Sequence, residues 1–175
     1  MNLDITIFYA IFGLSGCTAW LDWLIVFVGE YSFYLLMLFV SYLVCKEWLA
    51  EGRSVKFYGY LVAILGAIIA RLCITEIIRM FYQRIRPYAE LHLTHLLTDT
   101  SYSFPSGHTI FLFALATGVY QVNKKLAYFL YAYGALVGLA RIAGGVHYPS
   151  DILGGAVLGI CTGYLVFQTY KALSR

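Results

Sequence analysis

The sequence predicts an all-α fold, a polytopic bundle of transmembrane helices that forms one domain over residues 1–175. Hydrophobic residues make up 61% of the chain and charged residues 12%, whereas ordinary globular proteins contain roughly 45–50% and 25%. A soluble protein of this composition would expose much apolar surface to water, but a membrane protein is solvated by lipid. The net charge of +3 is not concentrated in basic blocks, so nucleic acid is not an expected partner.

Five apolar segments are expected to cross the bilayer, since a spanning helix needs about 20 mostly apolar residues. The segment at residues 106–122 is the shortest, but its apolar run is almost uninterrupted. The five segments cover residues 22–45, 57–80, 106–122, 126–146 and 150–170. The sequence therefore predicts a bundle with five clear spans.

Residues 3–20 are also apolar, but Asp4 and three small residues interrupt them. They are expected to form either a helix at the membrane surface, which is favoured, or a poor sixth span. No lysine or arginine precedes Lys46, so the positive region that opens a secretory signal peptide is missing. We therefore expect the apolar segments to be retained in the mature protein.

The basic residues between the spans predict the orientation of the bundle, because cytoplasmic loops carry an excess of lysine and arginine. The side predicted to be cytoplasmic carries seven basic residues: Lys46, Arg53, Lys56, Lys124, Lys125, Lys171 and Arg175. The opposite side carries four arginines: Arg79, Arg84, Arg86 and Arg141. A group of arginines on an outward-facing surface is unusual, and a negatively charged ligand would explain it.

The first candidate cluster lies at the outer end of the second span. Arg79 and Arg86 are seven residues apart, which predicts a shared helix face about two turns, or roughly 10 Å, in length. Pro87 then ends the helix or turns the chain. Guanidinium groups match phosphate oxygens in geometry and charge, although these arginines could instead contact lipid headgroups. Glu76, three residues before Arg79, is expected to pair with it and support the arginine site.

The second cluster, Pro105-Ser106-Gly107-His108, begins the third span. Proline favours the first helical position, so Ser106 and Gly107 would present backbone N–H groups at a helix end that binds anions. Gly107 would let a ligand approach the backbone, and His108 can transfer a proton near neutral pH. The alternative interpretation is a simple helix cap.

The third cluster joins the last two spans on the same predicted side of the membrane. It contains Arg141, His147 and Asp151, with Gly144–Gly145 able to end one helix and Pro149 able to begin the next. Asp151 is four residues after His147 and is expected to accept a hydrogen bond from one ring nitrogen, which leaves the other free to attack. A cap with no catalytic role is the alternative here too.

Glu30 and Arg71 are ionisable residues inside predicted spans, where such groups are costly and often functional. We expect them to pair with each other. With Glu76 they also support a rival hypothesis, a non-enzymatic transporter or proton relay, which would have no need of His147. His92 and His95 could form a weak metal pair, but loop histidines are usually only solvated, so no metal or other cofactor is predicted.

The three clusters together resemble the signature of the type-2 phosphatidic acid phosphatase superfamily, which also includes the vanadium haloperoxidases. Its pattern is K-x6-R-P, then P-S-G-H, then S-R-x5-H-x3-D. Two positions depart from it, because Arg79 stands in place of the lysine and Ala140 in place of the serine. Neither departure removes an acid, a base or a nucleophile. The haloperoxidases are soluble, so the predicted spans argue against that activity.

The resemblance implies a metal-independent membrane phosphatase that acts on a lipid phosphate or diphosphate. His147 would attack phosphorus to form a phosphohistidine, Asp151 would orient it, and His108 would protonate the leaving oxygen. The phosphate oxygens would be held by Arg79, Arg86, Ser106, Gly107 and Arg141.

The small size and the opening segments Ile11–Ser15 and Leu21-Asp22 are similar to bacterial undecaprenyl-diphosphatases of the bacitracin-resistance kind. That similarity implies conversion of undecaprenyl diphosphate to undecaprenyl phosphate at the outer face of a bacterial inner membrane, among membrane lipids. Phosphatidylglycerophosphate, phosphatidate and the phosphate groups of lipid A remain alternative substrates. The sequence predicts no particular oligomeric state.

Overall fold

The computed structural model describes residues 3–51 and 55–174. These residues form seven helices and no β-strand, so the all-α prediction is confirmed for this part of the chain. Helix α2 consists of Ala19–Val26, a π-helical turn at Phe27–Tyr31 and Ser32–Glu51, and α3 consists of Val55–Ile69, a π-helical turn at Ala70–Ile74 and Thr75–Phe81. The other helices are α1 (Leu3–Phe12), α4 (Pro87–Glu90), α5 (Gly107–Tyr120), α6 (Lys124–Ala143) and α7 (Pro149–Leu173).

Among the described residues, four helices are long and apolar enough to cross a membrane: Ala19–Leu49, Lys56–Phe81, Lys124–Ala143 and Pro149–Leu173. The predicted fifth span corresponds to α5, which has 14 residues. At 1.5 Å per residue it is about 21 Å long, against about 30 Å for the hydrocarbon core. The structure thus supports four of the five predicted spans by length. Helix α1, with ten residues, is too short to cross a bilayer on its own, and the favoured interpretation of residues 3–20 as a surface helix stays a prediction.

Helix α5 lies at the centre of the bundle, where it packs against α3, α6 and α7. Most of its residues are buried, including Ile110, Leu112 and Leu115. A glycine on every fourth residue of α7 lets the two backbones approach closely. A Cβ added at Gly159 would lie 2.5 Å from the carbonyl oxygen of Ile110, and one added at Gly163 would lie 2.5 Å from that of Ala114. At Gly155 the nearest atom, the Ser106 carbonyl oxygen, would be 3.0 Å away. This packing fixes the beginning of α5 beside the beginning of α7.

The beginnings of α5 and α7 and the ends of α3 and α6 therefore lie on one side of the bundle. Two connecting segments, residues 82–106 and 144–148, cover that side, and we call them together the site face. Backbone hydrogen bonds join the segments, since the Leu97 N–H donates to the Gly144 carbonyl and the Ser106 N–H donates to the Asp151 carbonyl. Residues from all three sequence clusters are brought together at this face.

Candidate active site

The arginines of the first cluster do not share a helix, contrary to the sequence prediction. Helix α3 ends at Phe81, and Tyr82 has an extended conformation with φ −128° and ψ 91°. Arg86 consequently lies on an extended connection and caps the short helix α4, in which Pro87 is the first residue. Pro87 therefore begins a helix rather than ending one. The extended connection carries Arg86 across the site face to the third cluster.

Arg86 is buried and makes a dense set of contacts at the centre of the site face. Its Nε donates to the Ser101 carbonyl at 2.6 Å, and Nη1 donates to the Val146 carbonyl at 2.8 Å. Nη1 also lies 3.3 Å from Nε2 of His147. Burial lowers the pKa of Arg86 to about 10, so the side chain remains positively charged at neutral pH.

Arg79 is also buried, with Nη2 donating to the Pro105 carbonyl at 3.2 Å and Nη1 donating to Oε1 of Glu76 at 3.3 Å. The predicted contact between Glu76 and Arg79 is thus confirmed, although its role in activity stays a prediction. Oε1 of Glu76 also lies 2.9 Å from Nη1 of Arg71. One carboxylate oxygen therefore joins two arginines at the end of α3.

The predicted pair between Glu30 and Arg71 is wrong. Arg71 contacts Glu76 on its own helix, whereas Oε2 of Glu30 accepts from Nη1 of Arg141 at 3.2 Å. The same Nη1 donates to the Gly29 carbonyl at 3.0 Å. The π-helical turn of α2 thus presents both a carbonyl and a carboxylate to Arg141. Sequence spacing alone could not show that Glu30 pairs with Arg141 rather than with Arg71.

Asp99 is the principal site residue that the sequence analysis missed. Its Oδ2 lies 2.8 Å from Nη2 of Arg86 and 3.2 Å from Nη2 of Arg141, while Oδ1 accepts from the backbone and the hydroxyl of Ser101. Burial opposes ionisation, but Arg86 and the Ser101 hydrogen bonds keep the pKa of Asp99 below its usual value. An ionised carboxylate therefore lies between two of the proposed phosphate-binding arginines. Its position in the long loop between two spans was the available signal.

His147 is fully enclosed, with 1% of its surface exposed. Its Nδ1 lies 3.6 Å from Oδ2 of Asp151, and its Nε2 is directed toward Arg86. Burial lowers the pKa of His147 to about 4, and the nearby charges of Arg141 and Arg86 act in the same direction, although Asp151 opposes them. The imidazole is therefore neutral at physiological pH, with a lone pair available on one ring nitrogen.

The structure modifies the predicted contact between His147 and Asp151, because 3.6 Å exceeds the normal length of a hydrogen bond. The same Oδ2 of Asp151 instead accepts from the Ser103 hydroxyl and, at 2.7 Å, from the Tyr148 backbone N–H. The latter bond caps the start of α7. Asp151 is thus held rigidly beside the imidazole, where its charge favours a proton on Nδ1.

Arg84, a second residue that the site prediction omitted, anchors Asp151 from the other side. Its Nη1 donates to Oδ1 of Asp151 at 2.7 Å, and its Nη2 lies 2.7 Å from Oδ2 of Asp4. Oδ1 of Asp4 also accepts the backbone N–H of Ser150 at 2.9 Å. Helix α1 therefore packs onto the site face through a carboxylate. Asp4 had been interpreted only as an interruption of an apolar segment.

The structure corrects two predictions for the second cluster. Gly107 rather than Pro105 occupies the first helical position, and Ser106 is the residue before it. The Ser106 N–H is used by the Asp151 carbonyl, so it is not free to bind an anion. A Cβ at Gly107 would lie 2.7 Å from Nε of Arg71, so the open space over this glycine is filled by a side chain of α3. The Ser106 side chain is buried, and its hydroxyl oxygen accepts from Thr109 at 3.1 Å.

His108 lies one residue into α5, where its ring packs edge-on against Phe33 with the ring centres 5.1 Å apart. Burial lowers the pKa of His108, and the nearby charges of Arg141 and His147 act in the same direction. The two candidate catalytic histidines therefore belong to one electrostatic site.

No cluster of three or more metal-ligating side chains occurs within residues 3–51 and 55–174. His95, one member of the suggested histidine pair, stacks on the Tyr88 ring with the ring centres 4.2 Å apart. The positive charge at the site face is supplied by arginines, which can stabilise the charge of a phosphoryl group directly.

The sequence pattern of the PAP2 superfamily matches residues 60–175, which include all three clusters. The chain belongs to the PAP2 superfamily. Among its PAP2 relatives is an undecaprenyl-diphosphatase, BcrC, from Bacillus subtilis, which is 34% identical over 170 residues and is matched over 96% of this chain and 83% of its own length. A bacitracin transport permease protein, BcrC, from Bacillus licheniformis is 29% identical over 176 residues, covering 99% of this chain and 83% of the relative.

The PAP2 fold is also evident in solved structures. Aquifex aeolicus LpxE superposes with a TM-score of 0.72 at 24% sequence identity, over 96% of each chain. PAP2 phosphatases are hydrolases of phosphoric esters, so this chain is an enzyme of that class, and its apolar helices make it a multi-pass membrane protein. Its relatives act on lipid phosphates.

Proposed function

We propose that this PAP2 phosphatase removes the terminal phosphate of a lipid diphosphate, undecaprenyl diphosphate above all, with His147 as nucleophile. One observation carries the proposal. In the described part of the chain, three buried side-chain nitrogens lack a hydrogen-bond partner, namely Nε of Arg79, Nε of Arg141 and Nδ1 of His147. Buried polar groups almost always have partners. Phosphate oxygens would supply acceptors for the two guanidinium groups, and Asp151 is already beside the imidazole.

The nucleophilic atom in this mechanism is Nε2 of His147. A proton on Nδ1 is favoured by the carboxylate of Asp151, which leaves the lone pair on Nε2, 3.3 Å from Nη1 of Arg86. A phosphate that binds Arg86 would therefore bring its phosphorus beside the attacking nitrogen. Such positioning supplies much of the rate enhancement in phosphoryl transfer.

Hydrolysis would proceed in two steps. In the first, the bond from Nε2 to phosphorus forms while the bond from phosphorus to the bridging oxygen breaks, and His108 gives its proton to that oxygen. In the second, His108 takes a proton from water as the water attacks the phosphohistidine, and inorganic phosphate leaves. Arg79, Arg86 and Arg141 would stabilise the charge that accumulates on the equatorial oxygens in both steps. In this scheme the arginines replace a metal ion.

Undecaprenyl diphosphate is favoured over other lipids because the Bacillus subtilis relative, matched over nearly the whole chain, bears the name of that activity. The excess of basic residues on the opposite side of the bundle favours a site that faces the periplasm or exterior of a bacterial inner membrane. Phosphatidylglycerophosphate, phosphatidate and lipid A carry the same phosphate group, so the arginine cluster alone does not discriminate between them.

Transport is the second candidate function, because the Bacillus licheniformis relative is named a transport permease. A charge relay through the membrane would need ionisable residues that are separate from the phosphatase site. Glu30 instead contacts Arg141, and Arg71 and Glu76 are joined to Arg79. These charges support the arginine cluster, which favours hydrolysis.

The proposal is tested by measuring phosphate release from undecaprenyl diphosphate by the purified protein in detergent, beside its His147→Ala variant. We expect His147→Ala to lose at least about 1,000-fold in kcat, since removal of a nucleophile removes the covalent route. His95→Ala is a matched control in the same face and should retain activity. Normal turnover by His147→Ala would eliminate the proposed nucleophile. Equal rates on diphosphate, phosphatidate and phosphatidylglycerophosphate would eliminate the diphosphate specificity alone.

A further inference from the structure

A cavity of about 260 Å³ opens beside His108, between α2, α3 and α5. Its walls are mostly apolar, formed by Phe33, Ile68, Leu72 and Phe111, and its polar groups include His108 and Arg71. His147 does not line it. The cavity is smaller than the roughly 300–1,000 Å³ of pockets that enclose whole drug-sized ligands. It could therefore take a polar group and the first few carbons of a lipid chain, but not a whole lipid.

Arg71 is placed in this cavity by two features of the fold. It belongs to the π-helical turn at Ala70–Ile74, and such turns often occur at functional sites. A Cβ added at Gly107 would lie 2.7 Å from Nε of Arg71. The Arg71 side chain thus lies over the first residue of α5, while 37% of it remains exposed.

The proposed chemistry places a second phosphate near His108. When His147 attacks the terminal phosphorus of a lipid diphosphate, the leaving group is a lipid monophosphate, and its bridging oxygen must be within reach of His108. The phosphate that stays with the lipid therefore lies on the side of His108 away from His147. Arg71 lines the cavity beside His108, and His147 does not line that cavity.

We propose that Arg71 binds the second phosphate of a lipid diphosphate, the phosphate that leaves with the lipid, and that the apolar walls of the cavity hold the first carbons of the chain. This inference rests on the proposed function and specifies how a diphosphate is recognised. Arg79, Arg86 and Arg141 bind the phosphate that is transferred to His147. Glu76, which contacts both Arg71 and Arg79, fixes the spacing of the two phosphate sites.

Inhibitors that resemble the lipid monophosphate and the transferred phosphate can test the two sites separately. Farnesyl phosphate, a short-chain lipid monophosphate, should inhibit by occupying the Arg71 site, whereas vanadate should inhibit at the His147 site. The variant Arg71→Gln keeps the polar, extended side chain but removes the charge. We expect it to raise the inhibition constant of farnesyl phosphate by about 10-fold or more, since hydrogen bonds to charged groups have effects of that size, and to leave the vanadate constant unchanged.

Lys171→Gln is the matched control, because it also removes one positive charge but lies at the opposite end of the bundle, where Lys171 contacts Gln121. It should change neither constant. If Arg71→Gln does not fold, Arg71→Lys keeps the charge without the planar fork of donors, and it should weaken farnesyl phosphate binding several-fold by the same argument.

Two results would overturn the inference: an equal loss of affinity for farnesyl phosphate and vanadate, or no loss of either, in a folded Arg71 variant. Loss of activity in His147→Ala together with either result would refute the role of Arg71 and leave the proposed function intact. An active His147→Ala would instead refute the mechanism on which the inference rests.

Discussion

Oδ2 of Asp99 lies 2.8 Å from Nη2 of Arg86 and also contacts Arg141. A carboxylate oxygen thus lies between two guanidinium groups, where we propose that a phosphate oxygen binds. Asp99 keeps these buried positive charges partly neutralised, and 27% of its side chain is exposed. Its negative charge should also oppose a bound phosphate and so favour the release of the product.

Asp99→Asn should therefore strengthen inhibition by inorganic phosphate. Removal of the carboxylate charge leaves Arg86 and Arg141 free to pair with phosphate, so we expect the inhibition constant to fall by about 10-fold. Glu47→Gln is the control, because it also removes one carboxylate but lies near the end of α2 that is far from Glu30 and the site face. Weaker phosphate inhibition in Asp99→Asn would mean that Asp99 chiefly aligns the arginines.

The pH dependence of kcat/KM should have its acidic limb well below the ordinary pKa of histidine. Only neutral His147 can attack, and its pKa is lowered to about 4 by burial and by Arg141 and Arg86, so the reactive form predominates at all higher pH values. An alkaline limb should follow as His108 loses the proton that it gives to the leaving oxygen. Because burial lowers the pKa of His108, this limb should lie at lower pH than for an ordinary histidine. The whole profile is then bell-shaped, and a flat profile between about pH 5 and 8 would contradict this pair of roles.

The burial of neutral His147 also predicts how the stability of the protein responds to acid. The pKa of His147 is lower in the folded protein than in the unfolded chain, so the unfolded chain binds the extra proton between about pH 6.5 and 4. This contribution to stability is complete above pH 6.5 and is lost as the pH falls toward 4. Thermal unfolding in detergent should reveal a steeper acid loss in the wild type than in His147→Gln. Identical acid dependence in the two proteins would argue against a buried neutral imidazole.

Helix α1 should be required for full activity because Asp4 holds Arg84, which in turn holds Asp151. Asp4→Asn keeps an acceptor but loses the charge, so we expect it to destabilise the protein by about 1–2 kcal/mol and to lower kcat. The measurement is thermal unfolding together with steady-state turnover. Asp22→Asn, which alters a carboxylate that contacts the Gly16 N–H, should have a smaller effect on turnover. Equal effects of the two variants would show that Arg84 does not depend on α1.

Vanadate should inhibit competitively, because it adopts the five-coordinate geometry of phosphorus during transfer. Arg86→Gln and Arg141→Gln should each weaken that inhibition, since each removes donors from the equatorial oxygens. Inhibition constants measured with a short-chain diphosphate are sufficient. Indifference of the wild-type enzyme to millimolar vanadate would be incompatible with the proposed site.

The sequence was sufficient to predict the helical fold and the meeting of the three clusters. Spanning helices end near one of the two membrane surfaces, so counting the spans was enough to predict that Arg79, His108 and His147 lie on the same side of the bundle. It was not enough to predict that α3 ends at Phe81, because no proline or glycine marks that end in the sequence. The predicted shared face for Arg79 and Arg86 failed for this reason.

Other features depended on three-dimensional contacts that have no local pattern. Arg141 and Glu30 are 111 residues apart in the chain, and Arg84 and Asp4 are 80 apart. Neither pair has the regular spacing of a helix or a motif. The burial of α5 also explains why residues 106–122 resemble a span, since a helix enclosed by other helices is as apolar as one that contacts lipid.

The most direct test of the mechanism is to identify the phosphorylated residue during turnover. The wild-type enzyme would be mixed with a short-chain prenyl diphosphate, quenched rapidly at alkaline pH, where phosphohistidine is stable, and digested for mass spectrometry. A phosphate on the peptide that contains His147, absent from His147→Ala, is the predicted result. Rapid turnover with no phosphorylated peptide, or with the phosphate on a residue other than His147, would contradict it.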